Sequence, residues 1–397
     1  MSKSEFVTAS PAALKWARTN GHFTKEVVLD YFGGKSRQNL SLTDELIEQI
    51  ESRPTVIRVR LLKELSKFYE QPLAVFFLEN PPEKEKKPTD ERTQGNGRRK
   101  EPLSPDAMRV LRTAHRVQLA ARELKEELNE SFEFKLDSYT LRNNPISLAA
   151  EFRDRIGLTL TKQAAFNGAD KLFTWLRSQI EDTGVFVLKE SFPLKDALGF
   201  SVTDEQPFVI VVNSKWGGQS YTPKIFSLLH EYAHILLRHG GICNDFTYFS
   251  GGMETFCNKF AANVLMPTEA FKDELGKITK KFSRDEVDDY LVKLGGIFKA
   301  SRPALLLRFL EQGFVSQSFF DEKIKDWDDE YEARDKKGIP FRVYPDTRAL
   351  NSKGKGFSRL VIRSVADQKI TRDSAADFLG VQPTYLSKIA QRLKEKI

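Results

Sequence analysis

From residue 225 to 239 the chain reads IFSLLHEYAHILLRH, with apolar side chains at Phe226, Leu229, Ala233 and Leu237. Steps of three and four predict an amphipathic helix with one face on a core. The segment METFCNKFAANVLMP, 253–267, repeats those steps at Phe256, Phe260, Ala261 and Val264 and predicts a buried helix ended by Pro267. Ahead of both, after Gly184, VFVLKE, GFSVTD and PFVIVVN carry β-branched and aromatic residues between turn formers. These read as three strands.

Elsewhere the pattern is helical. In the N-terminal stretch, 12–20 predicts a short helix ending at Gly21, and Thr24 caps a second through Val27, Val28 and Tyr31 to Gly33-Gly34. Ser41 is expected to cap a third, LTDELIEQIE, and Val59–Tyr69 forms a fourth. Ser104, with Pro105 at the first helical position, opens a long amphipathic run towards Asn129. Helix returns at Pro223 and dominates to the end. The fold expected is therefore α+β and mainly helical, with a small sheet.

Residues 81–101 contain no aliphatic or aromatic side chain and twelve charged ones. Such a stretch cannot offset its ordering entropy by burial, so 81–103 reads as a charged linker. With 397 residues the chain has room for several domains. A composition of 40% hydrophobic and 29% charged residues excludes collagen, wholesale disorder and a disulfide scaffold. The longest wholly apolar runs, such as 73–78 and 208–212, are far too short for a membrane span. The opening MSKSEFVTAS lacks the apolar core of a secretory signal, and only Cys243 and Cys257 are present. A reducing, cytoplasmic setting without membrane contact is expected.

Charge matters once it is located. Residues 340–397 hold twelve Lys or Arg against five Asp or Glu, which accounts for the whole net charge of +7. An excess confined to one end suggests an anionic partner there, most simply nucleic acid; a solvated basic tail is the plainer alternative.

The strongest chemistry lies in the first helix. His230 and His234 are four apart, so their imidazoles project from one face and can hold a single zinc ion. Glu231, one step round, is placed to take a proton from an activated water. Three of the five histidines in the chain fall between 230 and 239, which strengthens the reading of a site. A catalytic zinc needs a third protein ligand, and Glu254 at the start of the second helix is the candidate. Asn258, four residues on, faces the same way and can orient a ligating histidine.

The run GVFVLKE, LGFSVTD, PFVIVVN, IFSLLHEYAHILL, ETFCNKFAANVLMP resembles the ImmA/IrrE family of zinc metallopeptidases over roughly 165–320. The order of strands, metal helix and second ligand helix carries the likeness, as does the stretch E-x-x-x-N-x-F-A-x-x-x-L-M-P. The resemblance implies a zincin-like core, with His230, His234 and Glu254 as zinc ligands and Glu231 as general base. It also implies a protein substrate, typically an Xre-like repressor of mobile-element or stress genes. Cys257 departs from the family, which usually has alanine there. It is read either as a small buried residue or as a regulatory thiol that restrains activity until displaced or oxidised. The oxyanion-stabilising role is left open among His239, Tyr232, Tyr248 and Tyr221.

Both ends resemble helix-turn-helix modules. LKWARTNGHFTKEVVLDYF followed by SLTDELIEQIESRPTVIRVRLLKELSKFYEQPLAVFFL is similar to an Xre/lambda-repressor-like domain, with 42–51 as the reading helix. That helix carries Asp44, Glu45, Glu48 and Glu51 and no cation, and the turn before it is stretched by GGKSRQN. Acidic charge opposes phosphate contact, so the fold is expected to persist with a protein-contact or dimerising role. At the other end, Ala375-Ala376, the turn Leu379-Gly380-Val381 and a helix opening near Pro383 follow helix-turn-helix grammar. Tyr385, Ser387, Lys388, Arg392 and Lys394 are its candidate DNA contacts; a small helical bundle docked on the peptidase is the alternative. The pattern at 287–315 matches the helical pair that closes the family's peptidase domain.

The organisation expected is an Xre-like domain at 1–80, a linker at 81–103, a helical bridge at 104–164, a zinc peptidase domain at 165–320 and a basic helical module at 321–397. The function expected is zinc-dependent cleavage of a repressor or antitoxin-like protein. The alternative is a DNA- or toxin-binding regulator whose peptidase domain is a sensor or scaffold without turnover.

Overall fold

A computed structural model describes residues 6–21, 23–33, 42–69, 71–81, 103–131, 137–194, 196–215, 218, 220–239, 242–243, 252–276, 286–335 and 343–395. The chain divides into two compact units, 1–87 with 97–113, and 88–96 with 114–397. The charged linker expected at 81–103 lies outside the described residues except at its two ends.

The first unit holds β1 (Phe6–Ala9), α1 (Pro11–Asn20), α2 (Lys25–Gly33), α3 (Asp44–Ser52), β2 (Thr55–Arg58) and α4 (Val59–Tyr69). α5 (Pro105–Glu127) begins in it. β1 and β2 pair antiparallel, Phe6 opposite Arg58; four-residue strands are too short to show a period, and neither was foreseen. α3 starts later than expected. Its cap is Thr43, whose Oγ1 accepts from the N–H of Leu46 at 3.2 Å. Asp44 and Glu45 then fall in the first turn, where the helix dipole favours them. Ser41 and all but the first residue of GGKSRQN lie outside the described residues. Arg18 of α1 grips Glu51 of α3 through two hydrogen bonds, 2.6 and 2.7 Å.

The second unit continues from α5 through α6 (Pro145–Ile156), α7 (Leu160–Ala165) and α8 (Ala169–Glu181) into β3 (Phe186–Glu190), β4 (Gly199–Val202) and β5 (Val209–Asn213). Then follow α9 (Thr222–Leu236), β6 (Ile242–Cys243), α10 (Met253–Leu265), α11 (Thr268–Gly276), α12 (Glu286–Phe298), α13 (Arg302–Glu311) and α14 (Gln317–Asp335). It closes with α15 (Pro345–Ala366), α16 (Arg372–Leu379) and α17 (Leu386–Leu393). The fold is α+β and mainly helical, as its sequence pattern indicates.

The sheet order is β3-β5-β4-β6, with β3 and β5 parallel and β4 antiparallel to both neighbours. β3, β4 and β5 are buried almost throughout, which suits their continuous apolar character. α9 packs against β4, β5, α8 and α10, and α10 packs against α6. Buried polar groups secure the C-terminal end of α10. Arg153 donates to the carbonyl of Val264 at 2.5 Å and Gln163 to that of Leu265 at 2.8 Å, so orphan carbonyls of the last turn are satisfied.

The basic C-terminal helices belong to this same unit. α15 is interrupted at Gly354 (φ 82°, ψ 163°), where residues 351–356 run beside β3. Arg177 of α8 donates to the carbonyls of Asn351 at 2.7 Å and Ser352 at 3.2 Å, while Glu181 accepts from the N–H of Gly356 at 3.0 Å. A Cβ at Gly354 would meet the Glu181 carboxylate and the Val187 carbonyl, so the close passage requires glycine.

Candidate metal centre

α9 presents His230 and His234 on one face, as their spacing dictates, and both rings are completely buried. α10 begins with Glu254 against them. The two Nε2 atoms are 3.2 Å apart. Glu254 Oε2 lies 3.2 Å from Nε2 of His230, and its Oε1 lies 3.4 Å from Nε2 of His234. One ligand atom from each of the three residues falls within 4.8 Å of the others. This triangle fits an ion: tetrahedral ligands at 2.0–2.1 Å from zinc are separated by about 3.3 Å.

The protonation states fit as well. Burial alone would push the Glu254 carboxyl up, but the hydrogen bonds with His230 and His234 outweigh it and hold the group well below the usual carboxylate range. Burial depresses the His234 imidazole, against the pull of Glu254. A neutral imidazole and an anionic carboxylate are the forms that bind a cation. Asn258, fully buried and one turn along α10 from Glu254, sets its Oδ1 2.7 Å from Nδ1 of His230. Accepting from that nitrogen leaves Nε2 as the atom able to take a metal.

Glu231 is also wholly buried. β4 presses on it at Gly199, where a Cβ would stand 3.0 Å from Glu231 Oε1 and 2.7 Å from Ser227 Oγ. Sequence reasoning read GFSVTD as a strand and missed Gly199. The available signal was a glycine within a strand, which marks a close approach of backbone to another group.

Cys257 is fully buried and is not one of the ligand triangle. Burial, with the nearby Glu254 and Glu231 carboxylates, pushes its thiol well above the ordinary value, so the neutral form predominates. That environment suits a small apolar residue rather than a reactive thiolate. Of the residues considered for oxyanion stabilisation, Tyr232 lies in the apolar core, its ring 5.0 Å from that of Phe152. Tyr221 is hydrogen-bonded by Lys189 at 2.9 Å. His239 is half-buried just beyond α9. Tyr248 lies outside the described residues.

The terminal candidates are placed apart from this centre in sequence. Ser387 and Lys388 are exposed and Tyr385 is half-buried, with the Lys388 ammonium 5.5 Å from the Tyr385 ring centroid. Arg392 pairs with Asp346 at 2.5 Å, and Lys394 closes α17 in a left-handed conformation. In the first unit, Lys25 reaches Glu48 at 2.5 Å and Asp44 at 3.8 Å and Arg18 holds Glu51, so three of the four α3 acids are tied to cations.

Two histidines one turn apart on a helix packed against a small sheet, met by an acid from the next helix, define a zincin-like metallopeptidase arrangement. Residues 180–307 match the Peptidase_M78 family, described as the IrrE N-terminal-like domain. The segment is thus a peptidase-family domain of metallopeptidase type, and its buried His-His-Glu group is able to hold a metal ion. The match spans the end of α8 through most of α13 and contains the whole triangle. No curated protein matches the chain. No helix among the described residues is long and apolar enough to cross a membrane.

Proposed function

We propose that this protein is a cytoplasmic zinc-dependent endopeptidase whose substrate is a repressor or antitoxin-like protein. The observation that carries the reading is the ligand triangle of His230, His234 and Glu254 with Glu231 on the same helix. The substrate class is supported by the resemblance to ImmA/IrrE peptidases.

Bound by those three residues, zinc supplies Lewis acidity and lowers the pKa of water towards neutrality. Glu231 accepts the proton of the attacking water at its carboxylate and delivers it to the departing amine as the C–N bond breaks. Asn258 keeps His230 in the tautomer that offers Nε2. Gly199 lets β4 lie against Glu231, whose carboxylate is thereby shielded from bulk water. The first unit, with its likeness to Xre-like domains and its acidic α3, suits contact with protein more than DNA reading.

A specific observation favours one rival. His230, Glu231 and His234 are all 0% exposed, as a metal-holding scaffold or sensor without turnover would allow. The Glu231→Gln variant separates the two. Wild-type protein is expected to hold about one zinc per chain, and His230→Ala and Glu254→Ala to lose it. Glu231→Gln is expected to keep zinc while repressor fragments disappear from a comparison of protein termini in cells. If Glu231→Gln yields the same fragments and the same biological effect as wild type, the peptidase reading fails and the regulator stands.

A further inference from the structure

The helix pair at the C-terminal end plays no part in the metal centre. Gly380 closes α16 in the left-handed conformation (φ 66°, ψ 38°), its N–H directed to the carbonyls of Ala376 and Asp377. A 3₁₀ turn, Pro383–Tyr385, leads directly into α17. Ala375, Ala376 and Leu379 of α16 are buried, as are Leu386, Ile389 and Leu393 of α17. Both helices pack on α15. Three helices with a tight turn between the last two form the geometry in which the final helix enters the DNA major groove, its first residues against base edges.

Burial on the inner face leaves Gln382, Thr384, Ser387, Lys388 and Gln391 exposed. Their chemistry is that of a base and phosphate reader. Glutamine amides and hydroxyls pair with base edges, and a lysine meets phosphate or guanine. No Asp or Glu occurs between 380 and 394, and none of these five side chains is a large apolar one; exposed Tyr344 lies beside Lys388 and Gln391. Arg372, at the start of α16, donates to Ser387 at 3.3 Å and adds a second cation beside the reading helix. Asp373 and Asp377 are exposed on α16 and temper the positive charge there.

Arg392 is different. Its Nε lies 2.5 Å from Asp346, a carboxylate only 3% exposed, which ties α17 to the start of α15. Lys394 sits beyond the last turn of the helix, away from its leading end.

We propose that α16 and α17 form a binding element for duplex DNA, in which Gln382, Thr384, Ser387, Lys388 and Gln391 face the major groove while Asp346 holds Arg392 out of it. The element is independent of metal binding and of peptidase activity. A-form RNA is excluded as the natural fit because its major groove is too narrow for a helix.

The test uses the full-length protein and a library of random-sequence DNA duplexes, followed by fluorescence anisotropy on the enriched duplex. Selection is expected to recover a defined motif. Gln382→Ala or Thr384→Ala is expected to weaken that duplex about tenfold and relax the preference at one base position. Lys388→Ala is expected to weaken all duplexes alike and to reduce the slope of log affinity against log salt by about one. Arg392→Ala is expected to lower the melting temperature and leave the base preference intact. Lys171→Ala, at an exposed site on α8, is expected to change nothing. The proposal is overturned if no motif is enriched, if heparin or an RNA duplex of the same sequence binds as tightly, or if folded Lys388→Ala binds like wild type. An unchanged motif and affinity in both Gln382→Ala and Thr384→Ala would assign any DNA binding to another part of the chain.

Discussion

Asn258 Oδ1 lies 2.7 Å from Nδ1 of His230, both groups buried, on two helices that pack against each other. One hydrogen bond therefore selects which ring nitrogen of His230 faces Glu254. Outer partners of this kind are typically worth ten- to a hundredfold in metal affinity. Asn258→Ala is expected to weaken zinc binding by about that factor in a chelator competition, with helix content unchanged. Equal affinity in variant and wild type would show that the His230 tautomer is set by something else.

Gly199 and Glu231 are 32 positions apart, and the absence of a single Cβ permits their approach. That Cβ would stand 3.0 Å from Glu231 Oε1, 2.7 Å from Ser227 Oγ and 3.0 Å from the Val211 carbonyl. One of the three is backbone, so relief must come from the strand or from α9. Gly199→Ala is expected to cost about 1–3 kcal/mol by overpacking, seen as a lower melting temperature with zinc still bound. A melting temperature equal to wild type would mean that β4 lies further from α9 than the geometry gives.

Lys224 opens a pH window of its own. Its Nζ donates to the carbonyls of Gly218 at 2.6 Å and Ser220 at 2.8 Å. Burial, with help from the Lys189 charge, pushes the ammonium down to about 8 from 10.5. Below about pH 8 folded and unfolded chains both hold the proton, and the cost of burying the charge is present in full. Between about 8 and 10.5 the folded chain releases the proton while the unfolded chain keeps it, so this group's contribution to stability rises with pH. The gap in urea midpoint between wild type and Lys224→Met is expected to move in favour of wild type from pH 8 to pH 10. Parallel curves for the two proteins would contradict the depressed value.

Arg177 and Glu181 are buried together, with side chains 9% and 5% exposed. Burial lowers the first and raises the second, so each depends on the other to stay charged. Glu181→Ala is expected to cost about 3–5 kcal/mol by leaving a buried guanidinium alone. Because the pair also holds 351–356 against β3, hydrogen exchange is expected to quicken in β3 and around Gly354 together. Faster exchange in α8 alone would show that the C-terminal segment is held by other contacts.

The readable parts of this protein are those whose partners are close in sequence. His230, Glu231 and His234 lie within five positions, and helical geometry brings them to their places without outside help. Asn258 follows Glu254 by four residues for the same reason, and the strands announce themselves by β-branched runs. Thr43 was misread because Ser41 offers equally good capping chemistry two residues earlier. β1 and β2 escaped notice because each needs the other to exist: four residues have no period to read, and their stability comes from partners 46 to 52 positions away.

Sequence alone determined most of the helices and the three strands β3, β4 and β5, the histidine pair with its neighbouring carboxylate, and the concentration of positive charge at one end, since these are properties of local spacing and composition. Tertiary structure alone decided that β4 lies against Glu231. It also decided that Arg177 and Glu181 fasten a segment about 175 residues away, and that Arg392 is spoken for by Asp346. Each of these contacts joins groups whose nearness depends on how helices and strands pack. A side chain's burial, charge state and freedom to meet a ligand are set by that packing, because they depend on the atoms around it rather than on the residues beside it in the chain.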